Sequence, residues 1–125
     1  MSTEKQYPKQ IIYGDIPSKS NGYKIIHIAG HYSLGKTTSL KEYEEKFFLQ
    51  CSLRNANIQG YFKLVLDVYF GTMRKDLDGC FKILFDCLQS CKAIKNDNRC
   101  VEINARKFVD KINPRVEFCI IPVDI

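Results

Sequence analysis

The chain has 125 residues, 45% of them hydrophobic and 12% aromatic, with a formal net charge of +5 at pH 7. One hydrophobic core fits that length and two do not, and the apolar fraction excludes a disordered tail. The cations lie along both halves, which suits a polyanionic partner such as nucleic acid without requiring one.

The opening segment MSTEKQYPKQ is polar, so residues 1–10 are expected to be a flexible start to a single domain spanning 1–125. It has no apolar signal segment, so export by the usual route is not expected. No run approaches the ~18 apolar residues of a membrane span. QIIYG then reads as a short strand, IPSKSNGYK as a turn-rich stretch, and YKIIHIAG as the next strand. Ser39 and Glu42 match a capping box. From there Leu40, Tyr43, Phe47 and Cys51 keep one helical face, opposite Lys41, Glu44 and Glu45. RNANIQG closes that helix.

YFKLVLDVYF, residues 61–70, alternates as a half-buried strand does: Phe62, Leu64, Leu66 and Val68 face one way, Lys63, Asp67 and Tyr69 the other. After GTMRKD a second helix is expected from about Asp78 to Cys91, with Phe81, Leu84, Phe85, Leu88 and Cys91 as its apolar stripe. CVEINARKFV and RVEFCIIPV flank DKINP, the pattern of a C-terminal antiparallel hairpin. The order implies an α+β domain, a mixed or antiparallel sheet with two helices packed on one side.

Within this order, AGHYSLGKTT places Gly30, Gly35, Lys36 and Thr37 at the spacing of a phosphate-binding loop. Such a loop opens its helix with the Gly-Lys-Thr itself, so that backbone N–H groups face the phosphates. The Ser39 cap leaves Lys36 and Thr37 outside the helix, and too little chain follows residue 70 for the required parallel sheet. Nucleotide binding is therefore the weakest of the readings. Cys51, Cys80, Cys87, Cys91, Cys100 and Cys119 lack a C-x-x-C pair, so they are expected to be small core residues rather than zinc ligands or disulfides.

The chemistry-bearing stretch is RKDLDGCFKILFDCLQSCKAIKNDNRCVEI. If residues 74–78 are extended, Asp76 and Asp78 face the same way. Lys82 lies one helical turn beyond Asp78, and Asp97 follows the helix. Paired carboxylates beside an ammonium suit Mg²⁺-assisted phosphodiester hydrolysis, because hard oxygen ligands hold the ion and the cation offsets transition-state charge. A plainer reading has Asp78 as a helix cap paired with Lys82 on the surface, and Asp97 in a turn. Spacing alone favours the plainer reading.

These residues nevertheless resemble RusA-type Holliday junction endonucleases. The similarity rests on Asp76–Leu77–Asp78 with Lys82, on ILFDCL, and on IKNDNRCV around Asp97. IPSKSNGYK upstream and RVEFCI downstream extend it over most of the chain. The resemblance implies that Asp76, Asp78 and Asp97 bind Mg²⁺, with Mn²⁺ as a substitute, and that Lys82 is the catalytic lysine. It implies a homodimer in a bacterial or phage cytoplasm that nicks paired strands of a four-way DNA junction, with no organic cofactor. Lys19, Lys24, Lys36, Arg74, Lys75, Arg106 and Lys107 become candidate contacts to the DNA backbone. Asp67 becomes a non-catalytic acid, and His27 and His31 incidental. Gly79, Asn96 and Arg99 depart from the family pattern, and the missing side chain at Gly79 keeps a catalytically weakened junction-binding protein as the alternative.

Overall fold

The computed structural model describes residues 7–124. Its centre is a mixed four-stranded sheet in the order β1-β6-β4-β5. β1 spans Gln10–Tyr13, β4 Phe62–Phe70, β5 Cys100–Val109 and β6 Arg115–Pro122. Of the expected flexible start, residues 1–6 lie outside the described residues, whereas Gln10 already pairs with Phe118 in the sheet. Two further strands, β2 (Tyr23–Ile28) and β3 (His31–Lys36), pair only with each other among the described residues. The helices are a single turn α1 (Lys19–Gly22), α2 (Thr38–Gln50) and α3 (Phe81–Ser90).

β4 organises the core because its alternation is complete. Phe62, Leu64, Leu66, Val68 and Phe70 are buried, while Lys63, Val65, Asp67 and Tyr69 are half-buried on the opposite face. α2 supplies Leu40, Tyr43 and Phe47 to this core, and α3 supplies Ile83, Leu84 and Leu88. Phe47 stacks on Phe118 of β6 with ring centroids 6.0 Å apart. Each such side chain contributes about 1.5–3 kcal/mol when fully buried. Cys51, Cys80, Cys87 and Cys91 are buried as free thiols, and Cys100 and Cys119 are half-buried. One core group lacks compensation: the Tyr43 hydroxyl is buried with no hydrogen-bond partner among the described residues.

The other face of the sheet carries charge. Arg106 makes two 2.9 Å bonds to Asp67, and Arg115 lies 3.8 Å over the Tyr69 ring while donating to Glu117 at 2.7 Å. Hydrogen bonds from Lys9 and then Arg115 hold the Glu117 carboxyl below its ordinary pKa.

Three expectations need correction. HYSLGK, where the sequence marks no strand, is one: β3 pairs with β2 residue by residue from Tyr23↔Lys36 to Ile28↔His31, across a turn where Ala29 and Gly30 take positive φ. The cap of α2 is Thr37, whose hydroxyl accepts from the Leu40 amide at 3.2 Å, and Ser39 lies inside the helix. Both findings end the phosphate-loop reading, since the segment before Thr37 is extended in a β-ladder and forms no amide-lined loop. Finally, the last two strands run antiparallel across a short connection as expected, yet they do not pair with each other. β4 lies between them, parallel to β5 and antiparallel to β6. The connection passes over the end of β4, where the Asp110 amide donates to the Phe70 carbonyl at 2.8 Å.

Candidate functional site

A cleft of about 660 Å³ opens between α1 and the loop that leads into α3. Its walls are Ser18, Lys19, Ser20, Asn21 and Tyr23 on one side and Arg74, Lys75, Asp76 and Gly79 on the other, with Leu34 of β3 at its edge. The turn-rich sequence after Pro17 builds the first wall. Ser18 is the extended N-cap of α1, and the Thr37 hydroxyl donates to the carbonyls of Asn21 at 2.9 Å and Gly22 at 3.2 Å. A Cβ at Gly22 would meet the Ile83 Cδ1 methyl at 2.7 Å, so a larger residue here would have to push that side-chain tip aside. The absence of that atom lets α1 press against α3.

Lys75 joins the two walls. Its ammonium pairs with Asp15 at 3.1 Å and donates to the Ile16 carbonyl at 3.2 Å. Gly79 faces Ser18, and a Cβ at that position would lie 3.9 Å from the Ser18 Cβ. That is ordinary van der Waals contact, so a larger side chain fits and glycine is not dictated by space.

Asp76 and Asp78 are both exposed, but the segment is not extended as expected. Leu77 takes a right-handed helical conformation, and the Gly79 amide donates to the Asp76 carbonyl at 3.2 Å. Residues two apart on a helical turn do not face each other. Accordingly Asp76 lines the cleft, whereas Asp78 is not among its walls.

Lys82 also departs from expectation. It pairs with Asp86, one turn further along α3, at 3.3 Å rather than with Asp78. The Tyr23 hydroxyl donates to the same Asp86 oxygen, and the Lys82 ammonium sits 5.0 Å over the Tyr23 ring. Burial first, and then the bond to Asp86, push the Tyr23 phenol well above its ordinary pKa. The ammonium is thus held by a carboxylate and an aromatic face. Sequence reasoning missed Tyr23 and Asp86, although the i,i+4 spacing of Lys82 and Asp86 could have revealed the latter.

Asp97 lies elsewhere. It opens a 3₁₀ turn capped by Asn96, whose side chain accepts from the Asn98 amide at 3.0 Å. Its own amide donates to Gln89 Oε1 at 3.0 Å, which fixes Asp97 at the C-terminal end of α3. Asp78 precedes the other end. The eleven residues from Asp78 to Gln89 at 1.5 Å of rise each put roughly 16 Å between those positions. Among the described residues, no three His, Cys, Asp or Glu side chains gather as a metal site. One chain therefore does not assemble the three-carboxylate ligand set that the sequence implied.

The candidate backbone-binding cations also divide. Lys36 is engaged by Glu44 at 3.0 Å, Arg106 by Asp67, Lys75 by Asp15, and Lys107 by the Met73 carbonyl at 2.8 Å. Lys19, Lys24 and Arg74 are exposed and make no ion pair among the described residues. Lys19 and Arg74 both line the cleft that holds Asp76.

The cleft thus sets the cations Lys19, Arg74 and Lys75 beside an exposed carboxylate on an α+β scaffold. Residues 28–121 match the family described as endodeoxyribonuclease RusA, and the chain belongs to that family. Membership makes it a nuclease of the Holliday-junction-resolving class. No individual curated protein matches the chain. Among the described residues, no helix is long and apolar enough to cross a membrane.

Proposed function

We propose that the protein is a Mg²⁺-dependent endonuclease that resolves four-way DNA junctions by paired phosphodiester hydrolysis, working as a homodimer in a bacterial or phage cytoplasm. The observation that carries this reading is Asp76, which lies within the segment matched to the nuclease family, in a cleft that Lys19 and Arg74 also line. Lys19 and Arg74 hold the phosphates that flank the scissile bond. Lys82, oriented by Asp86 and Tyr23, offsets the negative charge that builds on the reacting phosphate.

Asp76 and Asp78 would hold the metal once the turn at Leu77, which directs the two side chains apart, opens to bring both carboxylates to one ion. Mg²⁺ commonly takes one or two carboxylates and fills its shell with water and substrate phosphate, so two aspartates are sufficient first ligands. When bound, the ion neutralises phosphate charge and makes a water more acidic. The remoteness of Asp97 within one chain is accommodated by a two-fold dimer, in which the partner's Asp97 would complete each of the two symmetry-related sites.

The alternative, a junction-binding protein with weakened catalysis, draws on Gly79, which brings no amide to a position beside Ser18. Incubation of a synthetic four-way junction with Mg²⁺ separates the two. The nuclease reading expects paired nicks from the native protein and a loss of about a hundredfold or more in Asp78→Asn with junction binding retained. Binding without nicking at any Mg²⁺ or Mn²⁺ concentration establishes the alternative instead. Full activity in Asp78→Asn refutes the assigned metal ligands.

A further inference from the structure

We propose that one face of the β2–β3 hairpin is the surface on which bases unstacked at a DNA branch point lie. This rests on the junction-cutting function proposed above and assigns a base-contacting surface beside that cleft. Among the described residues, β2 and β3 pair with no other strand. Residues directly opposite in an antiparallel pair share a face, so Ile25 with Leu34 and His27 with Tyr32 form one continuous strip starting at Tyr23. Ile25 and Tyr32 are each 76% exposed and Leu34 is 57% exposed. Among the described residues these side chains stay open to solvent, and contiguous exposed apolar surface marks an interaction site.

Two observations favour nucleobases as the occupant. The strip is continuous with the cationic cleft, because Tyr23 and Leu34 line that cleft together with Lys19, Arg74 and Asp76. Leu34 also borders a depression of about 320 Å³ shared with Ile25, Tyr32 and Ser33. A strand whose phosphates enter the cleft therefore passes along this apolar surface. Further, the Tyr32 ring is braced by His27, stacked at 4.6 Å and 17°, so its outer face is already oriented. Stacking platforms of this kind accept any base. An intact duplex keeps its bases inside and leaves the strip empty, whereas a branch point presents them. The strip thus gives the cleft a preference for branched over continuous DNA.

The experiment places 2-aminopurine at the branch point of a four-way junction and compares it with a duplex of the same sequence. Native protein is expected to change the fluorescence of the junction probe and to leave the duplex probe unchanged. Ile25→Ser/Tyr32→Ala, confirmed as folded by circular dichroism, should bind the duplex as before but lose about tenfold to a hundredfold in junction affinity, the worth of one stacked base. An unchanged junction-to-duplex ratio overturns the proposal. So does a variant that becomes monomeric by sedimentation and weakens equally on both substrates, which would make the strip a contact between copies of the chain. Binding is read without catalysis, so failure of the native protein to nick the junction counts against the proposed function alone.

Discussion

Asp78→Asn and Asp97→Asn chains, each inactive alone, should recover nicking when mixed. The expectation follows from the length of α3. The Asp97 amide is bound to Gln89 at one end of that helix and Asp78 precedes the other, a separation of roughly 16 Å. Ligands to one Mg²⁺ sit about 2.1 Å from the ion and so only a few ångströms from each other. A side-chain rotation cannot close a gap several times larger. If each site instead takes Asp76 and Asp78 from one chain and the partner's Asp97, a mixed dimer concentrates both defects in one site and leaves the other intact. Random exchange makes about half of the dimers mixed, each with one working site of two, so the mixture should show roughly a quarter of native nicking. The cuts should be single nicks rather than paired ones. The assay is a labelled four-way junction on a denaturing gel after chain exchange in mild denaturant. No recovery in a mixture shown to contain mixed dimers would refute the shared site.

Asp86→Asn should lower turnover about tenfold or more at unchanged junction affinity, because the Lys82 ammonium loses its carboxylate but no DNA contact is removed; single-turnover kinetics against binding isotherms separates the two. A parallel drop in affinity would show that Asp86 serves the fold or the DNA instead. Thr37→Ala should cost about 1 kcal/mol in urea unfolding, whereas Ser39→Ala should stay within about 0.5 kcal/mol, since only Thr37 caps α2. Tyr43→Phe should leave stability unchanged or raise it by up to about 1–3 kcal/mol, because the hydroxyl it removes is buried without a partner; a clear loss in urea unfolding would reveal an unrecognised bond.

Much of the fold was legible because it is written locally. The alternation of β4 and the apolar faces of α2 and α3 are period-two and period-3.6 patterns, and the predicted residues are buried apart from Phe81, which is half-buried. β3 was not legible, because HYSLGK has no clean alternation and Gly35 interrupts it. It is a strand only because β2 offers it a partner in register. The placement of β4 between β5 and β6 is likewise a property of sheet order, which a strand-loop-strand pattern does not record. Thr37 outranked Ser39 as a cap because its hydroxyl also donates to the end of α1, a contact across fifteen or sixteen residues.

The site was legible in part for the same reason. Asp76, Lys82 and the Pro17–Asn21 turn stood out by type and spacing, and the cleft does bring Asp76 and that turn together. The separation of Asp97 is set by which end of α3 each loop meets. Nothing in the spacing of the three aspartates reveals it.

The most direct test of the central assignment is the reaction itself. A four-way junction and a matched duplex are incubated with the native protein, with Mg²⁺ or with chelator, and the products are treated with DNA ligase. The account predicts symmetric nicks in the junction only, dependent on the metal, resealed by ligase, and absent in Asp76→Asn. Cutting in chelator, equal cutting of the duplex, or native rates from Asp76→Asn would contradict it.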